Sequence, residues 1–377
     1  MQNDARIRRQ AEAVVWSAMA APAPALREQA TRIAADVADP MLDRGLGARL
    51  VDPSPSVRAT AAVALVKQLP VAADVLRALL DGDDAAAKVI AIDGIGALDD
   101  GKARLGKLAA DRDVRVRARV ATAIAERKPD DARALLGALL RDEDAGVRGQ
   151  ALAGLARLGD PRALGDVTQA LDDPSLGVRL AALGALVRLG RDAVGQKLLA
   201  LGASNDHYVA LRAAVQLSRV GRAQAALPSV RAAADDRNPA VRAAAMNAAG
   251  ELGRDGQALA QAHLRDADVD VRLAAARAVI ATGRPDLALP ALVGALSTPR
   301  RLDAADELAR LGDARGVSAL QASAHAPDAV ERRIALAILA PLPAGHDTLV
   351  AALGDADAAI RLDAAGALLR RLLRYER

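Results

Sequence analysis

The sequence predicts an all-α superhelix, a solenoid of about twelve two-helix repeats running through residues 1–377 as one domain. Three observations predict it: a phrase recurring about every 30 residues, an apolar spacing of helical period inside each copy, and a composition almost without bulky aromatics.

The recurring phrase is an Asp, three or four residues, an aliphatic residue followed by Arg, Ala at helical spacing, and a closing Leu-Gly. Its aliphatic anchor falls at Leu26, Val57, Ala87, Val116, Val147, Val178, Val209, Val241, Val271, Arg300, Val330 and Ile360. Successive anchors lie 29 to 32 residues apart, so twelve copies stand in one register.

Each copy reads as two helices. Five residues before the anchor stands Asp52, Asp111, Asp142, Asp173, Asp236, Asp266 or Asp355, placed to accept the free N–H groups at the start of the second helix and to favour its positive dipole end. Positions 0, 4, 5, 8 and 11 from the anchor are aliphatic, as in Val178, Ala182, Leu183, Leu186 and Leu189, which makes one apolar stripe. Twelve residues after the anchor, Gly159, Gly190, Gly221, Gly253, Gly283 and Gly312 supply the left-handed conformation that stops a helix. Asp or Pro soon afterwards, as in Asp160-Pro161 or Pro285, starts the next first helix, of which the apolar run Leu289 to Leu296 is an example.

With these residues in place, the chain resembles the HEAT-repeat superfamily from about Ala11 to Leu373, and its 30-residue unit resembles the short phycobilisome-lyase-type subclass. The tetratricopeptide Trp/Tyr signature and the ankyrin TPLH box are both missing. The resemblance implies a recognition surface, with the second helices lining the concave side. Some copies depart from the pattern: Ala210 and Glu331 replace the Arg, Arg300 replaces the aliphatic anchor, and Ala87 with Lys88 is a weakened copy. A bend or distorted surface is expected over 295–345.

Composition agrees with thin helical layers. Hydrophobic residues make up 52% but aromatics only 1%, namely Trp16, Tyr208 and Tyr375, and small aliphatic side chains fill only the narrow gap between close-packed helices. The formal net charge of +4 is too small to call by itself for nucleic acid or an anionic membrane. There is no Cys, which excludes disulfides, thiolate metal sites and a Cys nucleophile. No apolar run reaches the length of a membrane span, and the start MQNDARIRRQ lacks a signal-peptide core. A cytoplasmic monomer is expected, with a periplasmic or envelope location the alternative if a leader has been removed.

Catalytic patterns are sparse. His207, His263, His325 and His346 fall in different copies with no HExxH and no pair one turn apart, so scattered surface histidines are the expected reading. None is followed by Glu, which separates the chain from HEAT-repeat deoxyhypusine hydroxylases with their His-Glu iron ligands. The alkylpurine DNA glycosylases need aromatics near an extruded base, whereas Trp16 and Tyr208 are about six copies apart. A bilin lyase would need an aromatic-lined pocket that this composition scarcely allows. Gly45 with Gly47, and Gly94 with Gly96, resemble the beginning of a phosphate loop but are not completed, and are expected to pack or end helices. No enzyme activity, metal or cofactor is expected.

Arginines form two columns. The first follows the anchor: Arg27, Arg58, Arg117, Arg148, Arg179, Arg242, Arg272, Arg301 and Arg361, each able to reach an inter-helix Asp of its own or a neighbouring repeat. The second stands at anchor plus ten, comprising Lys67, Arg157, Arg188, Arg219, Arg310 and Arg370, and shares a polar stripe with positions plus three and plus six. Arg157, Arg188 and Arg219, joined by Arg212 and Arg277, form a basic band with no acidic column to match it, although Glu251, Asp303 and Asp306 are interspersed. The band is either a binding site or a solvated face. A scaffold for a protein partner of unknown identity is the expected function, and nucleic-acid or polyanion binding through the band is the alternative. The absence of stacking aromatics argues against single strands.

Overall fold

The computed structural model describes residues 2–37, 39–189 and 195–374. Its α-helices fall into twelve consecutive pairs, one per repeat. Repeats 1 to 4 are α1 (Gln2–Met19) with α2 (Pro24–Val37), α3 (Pro40–Arg49) with α4 (Pro55–Leu65), α5 (Pro70–Asp81) with α6 (Ala85–Ala91), and α7 (Gly101–Leu108) with α8 (Val114–Arg127). Repeats 5 to 8 are α9 (Ala132–Leu139) with α10 (Ala145–Leu158), α11 (Leu164–Gln169) with α12 (Leu176–Leu189), α13 (Gly195–Gly202) with α14 (His207–Arg219), and α15 (Ala223–Ala234) with α16 (Pro239–Glu251). Repeats 9 to 12 are α17 (Arg254–Ala262) with α18 (Val269–Ala281), α19 (Pro285–Ala295) with α20 (Arg301–Arg310), α21 (Ala314–Ser323) with α22 (Ala329–Leu339), and α23 (His346–Ala352) with α24 (Ala358–Arg374). Among the described residues there is no strand.

The chain divides into two compact units, Met1–Ala123 with Leu320–Arg377, and Ile124–Ala319. In the first unit the last repeat stacks on the first, since α24 packs along α1 and α2. The side chains there keep the offsets that join consecutive repeats. Gln29 donates to Asp363, both at anchor plus three, and Arg370 faces Asp36 at 3.8 Å, both at anchor plus ten. Gly366 lies so close to Ile33 that an added Cβ would stand 3.0 Å from its Cδ1. Repeat 1 therefore follows repeat 12 as repeat 2 follows repeat 1, and both terminal helices gain an apolar neighbour.

The apolar stripe is the core. Val178, Ala182, Leu183 and Leu186 are all buried, as are their counterparts Val147, Ala151, Leu152 and Leu155. The glycine stops hold in most repeats: Gly159 closes α10 in the left-handed conformation at φ 68° and ψ 18°, and Gly221, Gly283 and Gly312 have φ between 76° and 88°, whereas Gly253 pairs φ 63° with ψ −134° and leads into α17, and Gly190 lies outside the described residues. Lys128 occupies the same offset in repeat 4 and keeps the left-handed conformation without being glycine, at φ 48°.

Three expectations need correction. The side chain that caps the second helix stands three residues before the anchor, not five: Asp144 accepts from Val147 N at 3.0 Å, and Asp84, Asp206, Asn238, Asp268 and Asp328 do the same work. The residue at minus five instead ties down the loop, as when Asp173 accepts from Ser175 N at 2.8 Å. In repeat 11 the register is one residue later than the sequence suggested. Val330 is 63% exposed, Asp328 caps the helix, and Arg332 makes the contacts of the arginine column, so Glu331 stands at the anchor position. Irregularity also reaches beyond 295–345. Helix α20 begins only at Arg301, leaving Arg300 exposed against Asp270, but 3-10 segments also interrupt repeats 3 and 6 at Ile92–Ala97 and Ala170–Asp172.

Candidate functional site

The first arginine column is a set of clamps. In Arg148 one nitrogen, Nη1, donates to the carbonyls of Asp142 and Glu143 in its own loop at 2.8 and 3.0 Å. The other edge of the guanidinium reaches the next repeat, with Nε and Nη2 at 2.7 and 2.8 Å from the two oxygens of Asp173. Arg27 holds Asp52, Arg242 holds Asp266 and Arg332 holds Asp355 in the same bidentate way. Lys88 in the weakened copy still reaches Asp111, at 2.6 Å. The bonds from Arg148 hold the Asp173 carboxyl below its ordinary range despite some burial, and Arg242 and Arg332 act likewise on Asp266 and Asp355. Among the described residues Arg58, Arg179, Arg272 and Arg361 keep the bonds to their own loop carbonyls but reach no Asp carboxylate of the next repeat, so the column is structural throughout these residues and spans two repeats only where an Asp stands opposite.

In repeat 7, where Ala210 replaces the Arg, His207 enters the gap. Its Nδ1 lies 2.8 Å from Asp236 Oδ2 but closes no hydrogen bond. The other histidines also sit at helix ends in separate repeats, and His263 lies against the carbonyls of Leu259 and Ala234. Among the described residues no His, Asp and Glu side chains gather into a metal-binding group. Gly45 packs against Met19 and Trp16, and Gly94 against Leu76 and Val63, which makes both helix-packing glycines.

The five arginines of the proposed band all lie in the second unit and all are exposed. They do not share one environment. Arg157 faces Glu126 at 3.6 Å and Arg219 faces Glu251 at 3.9 Å, so each end of the plus-ten run meets an acid at the same offset in the neighbouring repeat. That corrects the expectation of a column without acidic counterparts. Arg277 is committed further, to Glu307 at 2.7 Å and Asp303 at 3.5 Å. Arg188 and Arg212 form no ion pair among the described residues and are the free cations of these five.

The family described as HEAT repeats matches residues 103–187 and 136–218, and the helix pairs on either side repeat the same two-helix unit. Among solved structures it is similar to a chain of the complex of CpcE and CpcF of phycocyanin lyase from Nostoc. That likeness has 20% identity over 64% of this chain and 94% of that chain, with a TM-score of 0.37. Human deoxyhypusine hydroxylase is 18% identical over 68% of this chain and 96% of that chain, with a TM-score of 0.31. A homology model of the full-length AP-3 complex is 14% identical over 90% of this chain and 69% of that chain, with a TM-score of 0.47. At these identities the likeness is one of fold alone. None of the curated proteins matches the sequence. Among the described residues no helix is long and apolar enough to cross a membrane.

Proposed function

We propose that this chain is a non-enzymatic scaffold that docks an acidic segment of a protein partner along the second helices of repeats 5 to 7. One observation carries the reading. Arg188 and Arg212 are exposed guanidiniums without an ion pair among the described residues, and Arg157 and Arg219 beside them have acids only at 3.6 and 3.9 Å. A guanidinium presents a planar fork of donors that carboxylates fill in pairs, so such a row favours a segment rich in Asp or Glu. Arg277, held by two acids, drops out of the contact. A stacked repeat array supplies a long surface suited to an extended partner segment, which also supports the scaffold reading.

The test compares the wild type with the double variant Arg188→Glu, Arg212→Glu against two labelled probes, a Glu-rich 20-residue peptide and a 20-base-pair DNA duplex. The peptide should lose at least tenfold in affinity for the variant, while folding stability stays within about 0.5 kcal/mol. Tighter binding of the duplex, with affinity falling steeply as salt rises, would move the assignment to nucleic acid. Peptide binding identical in both proteins would remove the band from consideration.

A further inference from the structure

A second surface lies in the other unit, and it departs from the pattern of its own repeat. On α22, Val330 is 63% exposed and Ile334 is 44% exposed, one helical turn apart on the same face. At the offset of Ile334 most other repeats carry polar or small side chains, among them Gln29, Arg119, Arg212, Asp303 and Asp363. Water therefore meets two branched aliphatic side chains where the stripe is otherwise wet, an arrangement that folding does not require. Together with Ala337 and Ala340 they floor a groove of about 570 Å³ whose far wall is Ala367 and Arg370 of α24.

The polar rim carries two guanidiniums and one carboxylate. Arg333 donates from Nε to Asp363 at 2.8 Å, and Asp363 also accepts from Gln29, so both of its oxygens are engaged. Among the described residues Arg370 pairs with Asp36, at 3.8 Å, without a hydrogen bond. Two half-exposed guanidiniums thus face the groove against one occupied carboxylate.

We infer that this groove is a docking site for an amphipathic helix of a protein partner. The helix inserts two aliphatic side chains one turn apart between α22 and α24 and presents a carboxylate to Arg370 and Arg333. Helix-in-groove recognition uses this combination of apolar anchors and a charged edge. The site is separate from the arginine stripe of repeats 5 to 7, and neither depends on the other.

The experiment uses the full chain labelled at isoleucine methyl groups, with Ile334 and Ile338 as reporters. It is titrated with a stapled 16-residue helix carrying two leucines one turn apart and a Glu-lined edge, and with the same helix carrying Lys in place of Glu. Saturable shifts confined to the two reporters are expected with the acidic helix, and at least tenfold weaker binding with the basic one. Ile334→Lys and, separately, Val330→Gln should weaken the acidic helix at least tenfold with Tm unchanged, because both side chains are exposed. Arg370→Glu should invert the preference between the two helices. The pair Arg188→Glu, Arg212→Glu should leave this binding untouched, which keeps failure of the groove distinct from failure of the stripe. No shift at Ile334, equal binding of the two helices, or unaltered binding by Ile334→Lys would overturn the assignment. So would a concentration-dependent dimer abolished by Ile334→Lys, since the groove would then serve a second copy of this chain.

Discussion

Arg148 and Arg157 stand on the same helix, α10, and their fates are opposite. The side chain of Arg148 is 12% exposed, lies between two repeats and spends its donors on two loop carbonyls and both oxygens of Asp173. That of Arg157 is 52% exposed and faces Glu126 at 3.6 Å. Residue type does not separate them. What does is the geometry of the pair: Asp173 is held by Ser175 N and offers both oxygens to a guanidinium packed between repeats, whereas Arg157 meets Glu126 through a single 3.6 Å approach at the exposed surface. A column of arginines in a repeat protein thus divides into joints and free surface according to what stands opposite.

The sharpest way to break this comparison is to truncate both residues. Arg148→Ala should cost about 2–3 kcal/mol, because it leaves a half-buried carboxylate and two loop carbonyls without their donor. Arg157→Ala should stay within about 0.5 kcal/mol. Chemical unfolding of both variants measures the difference, and amide hydrogen exchange in the loop at 173–175 should quicken only in the first. Equal costs would show that the clamp does not hold the repeats together.

Much of this was legible in the sequence and some was not, for reasons that can be named. Repeat number, helix pairing, the apolar stripe and the glycine stops follow from periodicity and from the unusual backbone that glycine permits, both of which are local. The pairing of Arg at anchor plus one with an Asp was legible for Arg27, Arg148 and Arg242, whereas Arg58, Arg179, Arg272 and Arg361 reach only loop carbonyls. The cap was misplaced because two acids stand two residues apart, as in Asp142 and Asp144, and only backbone geometry tells which one faces the free N–H groups. Val330 misled because an aliphatic residue before Glu331 imitates an anchor, although Arg332 in the column register was the available signal. The lone status of Arg188 and Arg212 was out of reach, since it depends on which side chains meet across repeats. So did the packing of α24 on α1, a contact between opposite ends of the chain.

Acid should sharpen the comparison at intermediate size. Asp173, Asp266 and Asp355 titrate below the ordinary carboxylate range because Arg148, Arg242 and Arg332 bond to the charged form. A depressed folded pKa means that the unfolded chain takes up the proton first. The stabilisation is therefore complete above the unfolded value of about 3.9 and is lost as pH falls through the lower folded values. Tm measured from pH 6 to pH 3 should drop less for Arg148→Ala than for the wild type, since the variant has already lost one linked carboxylate. The Arg157→Ala profile should parallel the wild type, and a divergence as large as that of Arg148→Ala would mean that the surface column is also a joint.

The smallest effect is expected where the clamp is missing. Repeat 7 has Ala210 in place of the Arg, and among the described side chains Asp236 of repeat 8 meets His207, whose Nδ1 at 2.8 Å closes no hydrogen bond. The loop role of Asp236 survives, because its Oδ1 accepts from Asn238 N at 2.7 Å, and an amide oxygen at the same place can accept that bond equally well. His207 closes no hydrogen bond to the carboxylate, so Asp236→Asn removes no bond on which the joint depends. Its cost should lie within about 0.5 kcal/mol. Asp173→Asn, in contrast, puts an amide N–H against the fork of Arg148 and should cost about 2 kcal/mol. Urea unfolding of the two variants at pH 8 decides the matter: a loss at Asp236 as large as that at Asp173 would show that the carboxylate stabilises the repeat through its loop, with the arginine clamp secondary.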